Sequence, residues 1–219
     1  MRRIDARAVA LEKVVDEAAG VVRDGGVIIF PTDTVYGVGC DPTCHPAIDR
    51  IYALKGRSRE KPLALYFAHV DDLLPYILYD ERAVALARRF LPGPLTLVVR
   101  RPAAIDPYVV GDLPTIGLRV PDDSFCRALL ERMGPLAATS ANLSGDEPYT
   151  GRGAARDLPE ADLFIDVGPA RHGVASTVVD ISQTDVRLIR EGTLPFASLI
   201  ETLNLPAGRS RRSGENQQI

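Results

Sequence analysis

Lysine is nearly missing from this chain. It occurs only at positions 13, 55 and 61, so 23 of the 26 basic residues are arginine, and two of the three lysines fall within the seven residues KGRSREK. A compact ammonium does not substitute for a planar guanidinium, so in an arginine-favouring chain Lys55 and Lys61 stand out as positions of interest. Cysteine is also sparse: three residues, an odd number, argue against a disulfide framework and suit a reducing compartment. No run approaches the roughly 18 apolar residues that cross a bilayer. The opening MRRIDARAVALEKVVDEAAG carries acids where a signal peptide has its apolar stretch, so a soluble cytoplasmic protein with no membrane partner is expected. Strong net charge is lacking too. At −3 the chain is no general attractor for nucleic acid, and any anion site has to be local.

Familiar catalytic signatures are absent as well. There is no Walker A loop and no G-x-G-x-x-G after the first strand-like run, so ATP, if used, is held in another way. His45, His69 and His172 lie in unrelated contexts with no serine elbow, which disfavours a hydrolase triad. Cys40, Cys44 and His45 form a C-x3-C-H cluster of zinc-preferring types, but a fourth ligand is not evident. Ordinary buried or half-buried thiols are the favoured reading, and no metal site is assigned.

What the chain does contain is enough apolar residue, 46% of 219, for one sizeable core. One domain over 1–205 is expected, with a polar, aperiodic tail at 206–219 expected to be disordered. Helical spacing predicts helices over 7–23, 46–55, 81–91, 124–133 and 196–203. Short apolar runs bounded by glycine and proline predict strands at 27–30, 63–67, 95–100, 116–120, 136–138, 163–167, 177–181 and 186–189. Alternation of such strands with amphipathic helices indicates an α/β fold, a mixed sheet with helices on both faces.

Four segments carry candidate chemistry. In PTDTVYGVG, Thr32 and Thr34 share a face of an extended chain, either to bond one ligand together or to bond their own backbone in a turn. KGRSREK gathers Lys55, Arg57, Arg59 and Lys61 after a helix and before a buried strand. Four neighbouring cations repel, so they splay into solvent or meet an anion such as a polyphosphate. Arg119 in TIGLRVP shares its strand face with Gly117, which leaves room for a ligand carboxylate or for a salt bridge to an acid. The loop ATSANLSG follows a buried strand with small and hydroxyl residues that suit either phosphate-binding backbone N–H groups or a capped turn.

In this order, PTDTVYG, KGR with KPL, LPGPLT, TIGLRVP, SANLSG and STVVD resemble the YrdC-like L-threonylcarbamoyladenylate synthase family over about residues 10–200, in its single-domain form. The resemblance implies a twisted mixed sheet with a concave, basic cavity. It also implies an enzyme that condenses L-threonine, bicarbonate and ATP, with Mg2+ accompanying ATP, into threonylcarbamoyl-AMP and pyrophosphate. The product would pass to a tRNA threonylcarbamoyl transferase complex, and a weak direct contact with tRNA is left open. The resemblance makes Lys55 and Arg57 catalytic. It puts Thr32, Thr34, Tyr66, Arg119, Ala138 and Ser176 around threonine. Lys55, Arg57, Lys61, Thr115, Ser140, Asn142 and Arg190 fall around ATP. Some members carry Asn and His where this chain has Lys61 and Tyr66, which removes a near-neutral base from that stretch. Two other readings are an RNA-binding module using KGRSREK and the arginine-rich tail, and a paralogue of the same fold without synthase activity.

Overall fold

The structure is a computed structural model and describes residues 1–77, 80–152 and 158–203; the tail expected to be disordered lies outside the described residues. The chain runs β1 (Arg2–Asp5), α1 (Leu11–Arg23), β2 (Ile28–Phe30), β3 (Gly37–Cys40), α2 (His45–Lys55), β4 (Ala64–Tyr66) and a short α3 (Val70–Leu73). It continues through α4 (Glu81–Phe90), β5 (Leu95–Arg100), β6 (Thr115–Arg119), α5 (Ser124–Met133) and β7 (Leu136–Ser140). The last elements are β8 (Leu163–Asp166), β9 (Thr177–Asp180), β10 (Arg187–Arg190) and α6 (Phe196–Leu203). The strands form one mixed sheet in the order β1-β8-β2-β3-β7-β4-β6-β5-β9-β10.

Strand alternation divides the core between the two faces. Ile28 and Phe30 of β2 and Tyr66 of β4 pack with Val14, Val15, Ala18 and Val22 of α1 and with Phe125 and Leu129 of α5. The alternate residues Ile29 and Leu65 face the other way, toward Ile48 and Ile51 of α2, Leu86 of α4 and Leu199 of α6. The expected mixed sheet with helices on both faces is what the chain forms.

Helix ends follow local chemistry. Asp80 caps α4, its carboxylate accepting from the Arg82 and Ala83 amides, and Asp123 caps α5 by accepting from the Cys126 amide at 2.8 Å. Gly56 ends α2 in the left-handed region. The first helix starts at Leu11 rather than Arg7, because the Ala8 amide turns back onto the Asp5 carbonyl and the Arg7 guanidinium pairs with the Asp5 carboxylate at 2.7 Å. The reading from periodicity also passed over β1, whose RRID has no apolar alternation, and β3, whose GVGC is half glycine.

Those β3 glycines have a packing reason. The Phe30 ring packs against them: a methyl at Gly37 would lie 2.9 Å from the ring, and one at Gly39 3.0 Å. Gly37→Ala should therefore destabilise the fold by about 1–3 kcal/mol, the usual cost of overpacking, read as a lower urea midpoint at unchanged m-value.

Candidate active site

On the face that carries α1 and α5, the sheet is open over β4, β6, β5 and β9, and a cavity of about 760 Å3 lies there. That is within the roughly 300–1,000 Å3 of small-molecule sites. Register explains its floor. Ala138 of β7 is opposite Ala64 of β4, Ala64 opposite Gly117 of β6, Gly117 opposite Val98 of β5, and Val98 opposite Asp180 of β9. All five line the cavity, one row running across the sheet. At its centre Gly117 has no room to spare, since a Cβ there would lie 3.2 Å from both the Ala64 methyl and the Thr96 methyl.

The rim is cationic where the floor is small. Arg57, Lys61, Arg119 and Arg190 line the cavity, against the two acids Glu60 and Asp180. Arg57 spends its Nε on the Lys61 carbonyl at 2.6 Å and an Nη on the Pro62 carbonyl at 3.1 Å. Arg190 likewise donates Nε and Nη2 to the Ser176 carbonyl, at 3.2 and 3.0 Å. Among the described residues neither arginine, nor Lys61, takes part in an ion pair. Burial pushes the Arg57 guanidinium below its ordinary range, and repulsion from Arg190 adds to it. Arg190 is lowered in the same direction, first by the partial desolvation of its guanidinium and then by Arg119, although the residue as a whole is exposed.

Arg119, at the end of β6, is different because it has a counter-charge. Its Nη2 donates to Asp33 Oδ1 at 2.6 Å with both side chains buried, and the Tyr66 ring centroid lies 5.5 Å from the guanidinium carbon. Ser176 is held between neighbours, its hydroxyl 3.0 Å from that of Thr96 and accepting from Arg190 Nη2 at 3.3 Å. Thr115, Ala138 and Ser140 complete the predicted residues that line the cavity.

Four predicted residues lie behind its wall. The Thr32 hydroxyl donates to the Val35 carbonyl at 2.6 Å and sits 3.0 Å from the Thr34 hydroxyl, a turn-like bonding to the segment's own backbone. Asn142 accepts from the Ser140 hydroxyl at 2.6 Å and donates to the Leu143 and Asp146 carbonyls, bracing the loop after β7. Lys55 is 2% exposed, and its ammonium donates to the carbonyls of Ser140 and Asn142, while the Ser144 amide donates to the Lys55 carbonyl at 2.8 Å. Lys55 thus clamps that loop and does not line the cavity. KGRSREK divides in three, because Arg59 turns outward to pair with Asp49 and stack on Tyr52 and Tyr108.

Sequence reasoning missed Asp33 and Thr96. Each sits inside a quoted motif, PTDTVYG or LPGPLT, but only the fold brings the first to Arg119 and the second to Ser176. The Cys40, Cys44 and His45 cluster does not converge: Cys40 is buried, its thiol pushed up to about 12 by burial, while His45 stacks on Tyr108 and bonds Asp106 at 2.6 Å. Another cleft, of about 990 Å3 and bordered by Arg82, Arg100 and Arg101, contains none of the predicted residues. Among the described residues no helix is long and apolar enough to cross a membrane.

A ten-stranded mixed sheet carrying a cation-rimmed cavity on a floor of small residues defines the class of protein. The Sua5/YciO/YrdC family, described under telomere recombination, matches residues 20–192, and the chain belongs to it. It is similar to the threonylcarbamoyl-AMP synthase of Pyrococcus abyssi, 37% identical over 186 residues covering 83% of this chain and 55% of that protein. Similarity to the Bos taurus threonylcarbamoyl-AMP synthase is 38% over 173 residues, 75% of this chain and 62% of that one. The chain thus spans little more than half the length of these curated relatives. A crystal structure of P. abyssi Sua5 complexed with L-threonine superposes with a TM-score of 0.81 at 34% identity, over 93% of this chain and 60% of the other.

Burial, aided by the Arg57 charge, lowers Lys55 from 10.5 to about 7. Between those values the unfolded chain binds the extra proton, so stability should rise with pH from about 7 toward 10.5, and the full penalty applies below 7. Urea midpoints compared with Lys55→Met should show the wild type gaining on the variant across that window; parallel pH curves would contradict a buried Lys55.

Proposed function

We propose that this chain is a threonylcarbamoyl-AMP synthase. The observation that carries the reading is the set of guanidiniums gathered on one cavity: Arg57 and Arg190 line it with Arg119, and among the described residues neither Arg57 nor Arg190 has an ion-pair partner. Such groups favour a polyanion. The likeness to synthases, and to a relative complexed with L-threonine, supports the choice of reaction.

In this reading the threonine amine attacks carbon dioxide, supplied by bicarbonate, and loses a proton to become a carbamate. A carbamate oxygen then attacks the α-phosphorus of ATP while the bond to the β-phosphate oxygen breaks, and pyrophosphate leaves. No covalent enzyme intermediate is needed. ATP would enter as its Mg2+ complex, the ion offsetting part of the triphosphate charge. Arg57, Lys61 and Arg190 take the phosphates, Thr115 and Ser140 the nucleoside, and Arg119 the threonine carboxylate. Ser176, Ala138 and Tyr66 surround the rest of the amino acid. Thr32, Thr34, Lys55 and Asn142 act through the loops they brace. The product would pass to a tRNA threonylcarbamoyl transferase complex.

Incubation with ATP, bicarbonate and labelled threonine should yield threonylcarbamoyl-AMP by mass spectrometry without any RNA; no product would sink the proposal. Salt-sensitive RNA binding without product would favour the RNA-binding reading. Arg57→Ala should lower turnover by about 10²–10³, the scale for removing one electrostatic stabiliser, while Arg119→Lys should weaken threonine binding because a point charge cannot reproduce a fork.

A further inference from the structure

Asp33 stands where three parts of the chain meet. It lies in the β2–β3 connection, and its carbonyl accepts from the His172 amide at 2.9 Å, as the Thr34 carbonyl does from the Gly173 amide. This ties it to the connection that goes on to Ser176. Its carboxylate reaches the end of β6 through the single bond to Arg119 Nη2. A guanidinium and a carboxylate meeting freely close two parallel bonds. Here only one forms, although each partner has an atom to spare. Asp33 Oδ2 and Arg119 Nε are both buried and, among the described residues, have no hydrogen-bond partner.

The mismatch has a direction. Asp33 does not line the cavity, whereas Arg119 does, with Tyr66 against its guanidinium. A pair whose purpose was only to hold the fold together would satisfy both orphans on each other. We propose that Asp33 is a positioning residue for the amino-acid substrate. It grips Arg119 by one arm, so that the guanidinium is not closed into a bidentate pair and is held in one orientation beside the cavity for the threonine carboxylate, and it supplies the buried counter-charge. The inference rests on the synthase reading and names a residue that acts on that substrate through another.

Calorimetry of threonine and of ATP on the wild type, Asp33→Asn, Arg119→Lys and the double variant tests it. Removing the charge should weaken threonine binding by about tenfold or more, as expected for one member of a buried charge pair, and leave ATP affinity within about twofold. In the Arg119→Lys background the same change should cost threonine affinity less than about twofold, because the two residues act as one unit. Equal losses for threonine and ATP, or additive losses in the cycle, would reduce Asp33 to a packing role. If Asp33→Asn does not fold, Asp33→Glu keeps the charge but moves it by one methylene. Threonine affinity lowered with ATP affinity held then supports the proposal, and no change in either overturns it. A wild-type protein that binds ATP but no threonine overturns the synthase reading and this role together. One that binds threonine as well as Asp33→Asn does overturns the role alone.

Discussion

A guanidinium placed beneath a sheet surface needs a counter-charge, and the Arg119–Asp33 pair supplies it by joining chain segments far apart in sequence. Leaving one member of such a pair buried alone costs several kcal/mol, typically about 3–5. The β2–β3 connection, the end of β6 and the connection before β9 therefore have to assemble together. Ser176, Thr96 and Arg190 then follow, since Ser176 lies just beyond the segment that Asp33 anchors, and the other two are bonded to it.

The rest of the cavity departs from that rule. Arg57, half-buried, and Arg190, more exposed, have no acid to match among the described residues and are bonded to backbone carbonyls instead. Carbonyls orient a guanidinium but carry no full charge, so the positive charge on this side of the cavity is left unbalanced. An anion entering the cavity offsets it, and the oriented donors need little rearrangement when it does. The small floor residues belong to the same arrangement. Ala138, Ala64 and Gly117 keep the sheet surface low, so that cations reaching in from the rim meet a ligand and not one another.

Element types were largely legible in the sequence because the buried strands and amphipathic helices carry strong periodicity; β5 and α6 match their predicted spans. The misses have physical reasons. An exposed four-residue strand such as β1 and a glycine-rich strand such as β3 have too little apolar pattern to announce themselves, and strand order depends on long-range pairing that no local signal encodes. At the site, the spacing rules placed Arg119 beside Gly117 on one strand face, and both line the cavity. They could not separate Lys55 from Arg57. Two residues apart on a leaving helix end, one turns inward to loop carbonyls and the other into the cavity, a choice made by the loop after β7 and invisible in KGRSREK itself. Asp33 was hidden for the converse reason: its partner is 86 positions away.

Tyr66 bears on how the proposed reaction is driven. It stands where some family members carry histidine, and here its ring packs against the Arg119 guanidinium. A phenol in that place donates a hydrogen bond and stabilises a cation through its ring face. The titratable groups lining the cavity are arginines, Lys61, two carboxylates and two tyrosines, and Tyr36 is itself raised above the ordinary phenol range, chiefly by burial. Among the described residues no histidine lines the cavity. The burden then shifts to the cations that line the cavity over a low floor. Adenylation of a carbamate asks for little more, since the carbamate is already anionic when it attacks and the leaving pyrophosphate needs charge neutralisation rather than a proton.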